Sequence, residues 1–71
     1  MDNDHLALRI RAFRKLKGLT QQQLADRMGV SVAVLGSLER GTRRPDSRLM
    51  QRIAESLGVD YDELTGNENG A

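Results

Sequence analysis

The stretch GLTQQQLADRMGVSVAVLGSLERG, Gly18 to Gly41, holds two short helices and the turn between them. Thr20 stands three residues before Gln23, the spacing of a capping box, and opens a run in which Leu24, Ala25 and Met28 form an apolar stripe. Gly29 ends that helix. Only Val30 separates Gly29 from Ser31, which caps the next helix, where Leu35 and Leu38 face a core and Gly41 provides the stop. A three-residue turn with glycine first forces a large angle between the two axes instead of an antiparallel hairpin. The outer face of the second helix, with Val32, Ala33, Gly36 and Ser37, carries almost no hydrogen-bonding side chains. Its purpose is the question the sequence raises.

Working outward, HLALRIRAFRKLKGL (residues 5–19) spaces Leu6, Ile10, Phe13 and either Leu16 or the stem of Lys17 at three- and four-residue intervals. Arginines and lysines fill the gaps, which predicts an amphipathic helix closed by Gly18. After Gly41, TRRP is a loop, and Pro45 with Asp46 reads as a helix start, since proline bars extension backward. Met50, Ile53, Ala54 and Leu57 then follow at i, i+3, i+4 and i+7, and Gly58 stops the run. Asp60 can cap a last turn, YDEL, that returns Leu64 to the core. No segment alternates with period two. The expected architecture is all-α, a five-helix bundle over residues 6–65, with residues 1–5 a disordered N-terminus and 66–71 a flexible tail or the start of a linker.

Seventy-one residues make one small domain, with room for a single layer of helices and none for a large catalytic cleft. The absence of cysteine excludes disulfides and thiolate metal sites, and one histidine excludes a multi-imidazole site. No apolar run approaches the roughly 20 residues that cross a bilayer, and MDNDH is the wrong chemistry for a signal peptide. A cytoplasmic chain is the expectation. The net charge of +1 conceals an asymmetry: residues 1–52 hold all 11 Lys and Arg against five acids, a net of +6, whereas the remaining 19 residues hold five acids and no base. A basic body with an acidic end points to a polyanionic partner for the body.

Several spacings together form a known pattern: GLTQQQLA leading into GVS, ERG closing the third helix, a proline four residues after that glycine, and the ending IAESLGV. From Leu6 to Leu64 the chain resembles the DNA-binding domain of phage repressor and Cro-type helix-turn-helix regulators. The resemblance implies a lambda-repressor-like fold whose second and third helices form the helix-turn-helix. It also implies sequence-specific binding of double-stranded DNA as a transcriptional regulator, usually as a homodimer on a palindromic operator. A further domain C-terminal to this segment is compatible with it, as is a complete small regulator of the antitoxin or restriction-controller kind. In that family the glutamine matching Gln21 contacts phosphate and buttresses the recognition helix, and the residues matching Arg14 and Glu39 form a buried salt bridge.

The residues support such a role on physical grounds. A helix over Val32–Glu39 is roughly 12 Å long, about the width of a major groove. Thr20, Gln21 and Gln22 stand where unpaired N–H groups and the helix dipole attract an anion. Arg40, Arg43 and Arg44, placed in the loop after the recognition helix, suit phosphate because their planar guanidinium forks stay charged; Arg48 is a weaker candidate, and Arg9 and Arg11 could flank the same surface. The family often has long polar side chains at the positions matching Val32, Ala33 and Ser37, and this chain does not. Small apolar groups can still pack on thymine methyls, and Gly36 lets the backbone approach closely. The expected base contacts are therefore Ser31, Val32, Ala33 and Ser37, on thymine-rich half-sites.

Enzyme readings are poor. Asp60, Asp62 and Glu63 lack the glycine and regular oxygen ligands of a calcium loop and are explained by helix capping. His5 has no Ser or Cys partner suggested by spacing. No cofactor or metal is expected. Two other classes of function remain: a protein-docking module that uses the apolar face of Val32 and Ala33, and a membrane- or groove-binding first helix. The arginine-rich loop speaks against the former, and the need of a short chain for its core speaks against the latter.

Overall fold

Residues 3–66 are described in the computed structural model, and within them lie five helices and no strand: α1 (Asn3–Leu16), α2 (Gln21–Met28), α3 (Val32–Arg40), α4 (Ser47–Leu57) and α5 (Tyr61–Thr65). Each helix contributes a large side chain with no accessible surface, namely Ile10, Leu24, Leu35, Ile53 and Leu64, and Ala25 of α2 is covered as fully. Burial of a side chain of this size favours the folded state by about 1.5–3 kcal/mol, so the five form the central contact to which the remaining core is added. Leu6, Met28, Leu38 and Leu57 surround them. α3 packs on both α1 and α2, α4 on α2, and α5 on α1 and α4. No helix among the described residues is long and apolar enough to cross a membrane.

The helix ends follow from local chemistry. α2 begins with a complete capping box: Gln23 N–H donates to Thr20 Oγ1 at 3.0 Å while Gln23 Oε1 accepts from Thr20 N–H at 2.9 Å. Ser31 Oγ accepts from Val34 N–H at 3.1 Å, and Asp46 Oδ1 from Leu49 N–H at 2.8 Å. Four helices stop by one device, in which a glycine and the residue after it donate back to the last-turn carbonyls. At the end of α2, Gly29 donates to Asp26 O and Val30 to Ala25 O, with Gly29 at φ 73°, a conformation that a Cβ resists. Leu19, Val30 and Val59 each follow such a glycine and turn their side chains onto the core.

Three expectations are corrected. The helix of residues 5–19 begins earlier than its apolar stripe, so Asn3–His5, expected to be disordered, already belong to α1, with Asp4 in the first turn where the dipole favours an acid. Leu16 is 77 % exposed rather than part of the core; at 100° per residue it lies 120° around the helix from Ile10. Arg9 does not flank a basic surface. Its Nε donates to Glu63 O and Leu64 O, each at 3.0 Å, its Nη2 donates to Glu63 O as well, and its guanidinium sits 5.7 Å from the centre of the half-buried Phe13 ring. Arg9 thus ties α5 to α1 through carbonyls that the short helix leaves unpaired. His5 joins this contact, since a Cβ on Gly66 would come within 3.3 Å of its Nε2. Residues 67–71 of the expected tail lie outside the described residues.

Candidate nucleic-acid interface

α3 is held from within by one carboxylate. Glu39 lies on the buried side of the helix, its side chain 3 % exposed, and accepts from Arg14 of α1, Nε to Oε2 at 2.6 Å and Nη2 to Oε1 at 3.1 Å. Gln21, the first residue of α2, adds a third bond, Nε2 to Oε1 at 3.1 Å. Arg14 also donates through Nη1 to Leu19 O at 2.9 Å, fixing the loop between α1 and α2. No buried side-chain nitrogen or oxygen among the described residues lacks a partner. The forked pairing orients α3 as well as attracting it, because both oxygens and both nitrogens must register.

This network brings the start of α2 to the end of α3. The capping box occupies the N–H groups of Thr20 and Gln23, and Leu24 N–H bonds to Thr20 O. The N–H groups of Gln21 and Gln22 are left over, because the first turn of a helix has no intrahelical acceptors for them. They project from the N-terminus of an eight-residue helix, where the dipole favours an anion. The Gln21 side chain is taken by Glu39, and that of Gln22 by Asp26 at 2.9 Å, so the backbone of these two residues is what remains for a phosphate.

On the outer face of α3 the expected contacts fall into two groups. Ala33 is exposed and makes no side-chain bond, whereas Val32 is half-buried and packs partly on the core. Both hydroxyls have local partners: Ser31 Oγ caps the helix, and Ser37 Oγ donates to Ala33 O at 3.1 Å. α3 runs one residue further than expected, through Arg40, because Gly41 at φ 79° and Thr42 return their N–H groups to Leu38 O and Ser37 O. Arg40 is therefore a helix residue and does not belong to the loop. Arg43 and Arg44 do lie in the loop and are exposed. Gly36, expected to leave the backbone open, is covered by the Arg40 side chain, whose Nη1 is 3.0 Å from where a Cβ would stand.

Sequence reasoning missed the tertiary contacts of three arginines: Arg27, whose Nη1 donates to Ser56 O at 3.4 Å, and two with shorter bonds, Arg9 to α5 and Arg52, whose Nη1 donates to Met28 O at 3.2 Å at the end of α2. All three satisfy carbonyls at helix C-termini, where basic groups are favoured. The acceptor is distant backbone in each case, and backbone carries no residue-type signal.

Comparisons with known proteins bear on the fold and the family. A family model described as helix-turn-helix matches residues 10–64. The uncharacterized HTH-type transcriptional regulator YazB of Bacillus subtilis is 50 % identical over 60 residues, covering 84 % of this chain and 87 % of that protein. The immunity repressor protein of Bacillus phage phi105 is 35 % identical over 60 residues, 84 % of this chain and 42 % of the repressor. Among solved structures, the restriction-modification controller protein C.AhdI from Aeromonas hydrophila superposes with a TM-score of 0.84 at 31 % identity, over 87 % of this chain and 94 % of that one. The clp gene regulator ClgR from Corynebacterium glutamicum gives 0.83 at 31 % identity, over 93 % and 91 %. This chain belongs to the helix-turn-helix family of DNA-binding transcription regulators, of the Cro/C1 type.

Proposed function

We propose that this protein regulates transcription by laying α3 in the major groove of a palindromic operator, one α3 from each subunit of a homodimer. Ala33, with the exposed part of Val32, packs on thymine methyls, and Ser31 and Ser37 lie beside base edges. The backbone N–H groups of Gln21 and Gln22, oriented by the Thr20 cap, hold one phosphate. Arg43 and Arg44 neutralise others. The setting is the cytoplasm of a bacterium, on chromosomal or phage DNA.

The observation that carries this reading is the 3.1 Å bond from Gln21 to Glu39. It joins the anion-attracting start of α2 to the end of α3 that leads into the arginine loop, so two phosphate anchors stand at one end of the helix that is to read bases. Phosphate contacts set register and base contacts set sequence, and this geometry separates the two tasks. The length of α3, nine residues or roughly 13.5 Å at 1.5 Å each, suits a groove about 12 Å wide.

The test is a gel shift against random duplex at low salt, followed by sedimentation with and without a bound site. The expected result is a salt-sensitive shift with every duplex and a two-to-one protein-to-operator complex. Absence of any shift at low salt contradicts the reading and leaves protein docking as the use of the α3 face.

A further inference from the structure

The sequence puts Arg40 beside the loop arginines, and its place in the structure is different. Ala33, Gly36, Ser37 and Arg40 follow at i, i+3, i+4 and i+7, one stripe of a helix. Side chains on a helix lean toward its N-terminus, so a long residue at position 40 covers the turn before it and not the loop after it. The structure has this arrangement. The Arg40 guanidinium lies over Gly36, where a Cβ would stand 3.0 Å from Nη1, and its Nη2 donates to Ser37 Oγ at 3.4 Å. Gly36 thus provides the seat, and Ser37, itself bonded to Ala33 O, provides the acceptor.

The rest of the stripe has little with which to read a base. Ala33 has a methyl, Gly36 has no side chain, and the Ser37 hydroxyl has its partners on the helix. Glu39, the other long polar residue of α3, is buried against Arg14 and Gln21. Arg40 is therefore the one long donor on the open face of α3. Small neighbours let that face come near the base edges, which brings a guanidinium lying along the helix within reach of them. A planar fork pairs with O6 and N7 of guanine, a pattern no other base offers in the major groove.

We infer that Arg40, seated over Gly36, is a specificity-determining residue that reads a guanine in each half-site, beside the thymines met by Ala33 and Val32. The inference rests on the proposed docking of α3 in the groove and assigns to Arg40 a base in place of a phosphate.

The experiment is selection from a random duplex pool with the wild-type protein, Arg40→Ala and Gly36→Ala, each followed by titration on single-base variants of the recovered site. Wild type should recover a site with a guanine at one position of each half-site and prefer it by about 5- to 150-fold over the other bases, the range of a bidentate pair. Arg40→Ala should lose the preference at that position and keep the others. Gly36→Ala places a methyl against the flexible end of the Arg40 side chain; the helix tolerates it, and the same position, and no other, should blur. If Arg40→Ala keeps the full wild-type site while binding every sequence more weakly, with a salt slope shallower by about 0.9, Arg40 is a phosphate contact and the inference is overturned while the docking of α3 stands. A site without guanine, or a Gly36→Ala protein that selects the wild-type site unchanged, also overturns it. If wild type binds duplex but enriches no sequence, the docking itself fails and the inference falls with it.

Discussion

The Arg14 guanidinium grips both oxygens of the Glu39 carboxylate, at 2.6 and 3.1 Å, and the same carboxylate receives the amide of Gln21 at 3.1 Å. A single acidic side chain thereby joins the first three helices and fixes the angle at which α3 leaves the core. Taking both charges out of water is costly, so the intact pair adds little net stability and instead selects one arrangement of the helices. Glu39→Ala strands the Arg14 guanidinium and should cost about 3–5 kcal/mol in urea denaturation. The double replacement of Arg14 and Glu39 by methionine should recover most of that loss. A single-variant cost below about 1 kcal/mol, the range of an exposed pair, would show that water reaches the bridge.

The Thr20 cap is expected to matter for both folding and binding. Thr20→Ala removes the acceptor of Gln23 N–H and should lower stability by about 1 kcal/mol, with weaker binding to every duplex because the start of α2 frays. Thr20→Ser keeps the oxygen and should restore both quantities, as measured by thermal melting and fluorescence anisotropy.

Gly29 isolates the torsional requirement of the turn between α2 and α3. The nearest atom to an added Cβ is Arg52 Nη1 at 3.7 Å, an ordinary contact, so the cost of Gly29→Ala comes from its φ of 73°. The expected loss is about 1–2 kcal/mol, with Gly29→Asn costing less because asparagine tolerates the left-handed region. Equal losses for the two variants in chemical denaturation would point to a steric cause instead.

Helix ends and apolar stripes were legible in the sequence because their chemistry is local. Thr20 with Gln23, Ser31, Asp46 and the glycines at 29, 41 and 58 each act within one turn, and the order of residue types suffices to read them. Nothing in the spacing of two residues 25 apart pairs Arg14 with Glu39, and only the family resemblance implies their bridge. The start of α1 is not legible from its buried stripe because a helix extends beyond that stripe when polar residues such as Asp4 suit its first turn. One residue separates the expected end of α3 from the observed one, and that residue is Arg40, which belongs to the helix and not to the loop. Its direction, back over Gly36, depends on how side chains lean and on the absence of a neighbouring Cβ, which composition does not display.

Arg43 and Arg44 are expected to act without regard to sequence. Each replacement by alanine should weaken binding to specific and random duplex by similar factors and reduce the slope of log K against log salt by about 0.9. Ser37→Ala, by contrast, should change which sequence is preferred and leave the slope as it is. The check is a salt titration of each variant on one specific and one random duplex, and equal losses on both duplexes for all three variants would contradict the division of labour between loop and helix.

The central claim is that the small apolar face of α3 lies on thymine methyls in the major groove. The most direct measurement replaces the thymines of a selected site, one at a time, by uracil, which keeps every hydrogen-bonding group and removes only the C5 methyl. At the positions facing Ala33 and Val32 the account predicts a loss of about 0.8 kcal/mol per methyl, roughly fourfold in affinity, with no change at thymines outside the α3 footprint. Unchanged affinity at every position of the half-site would contradict it.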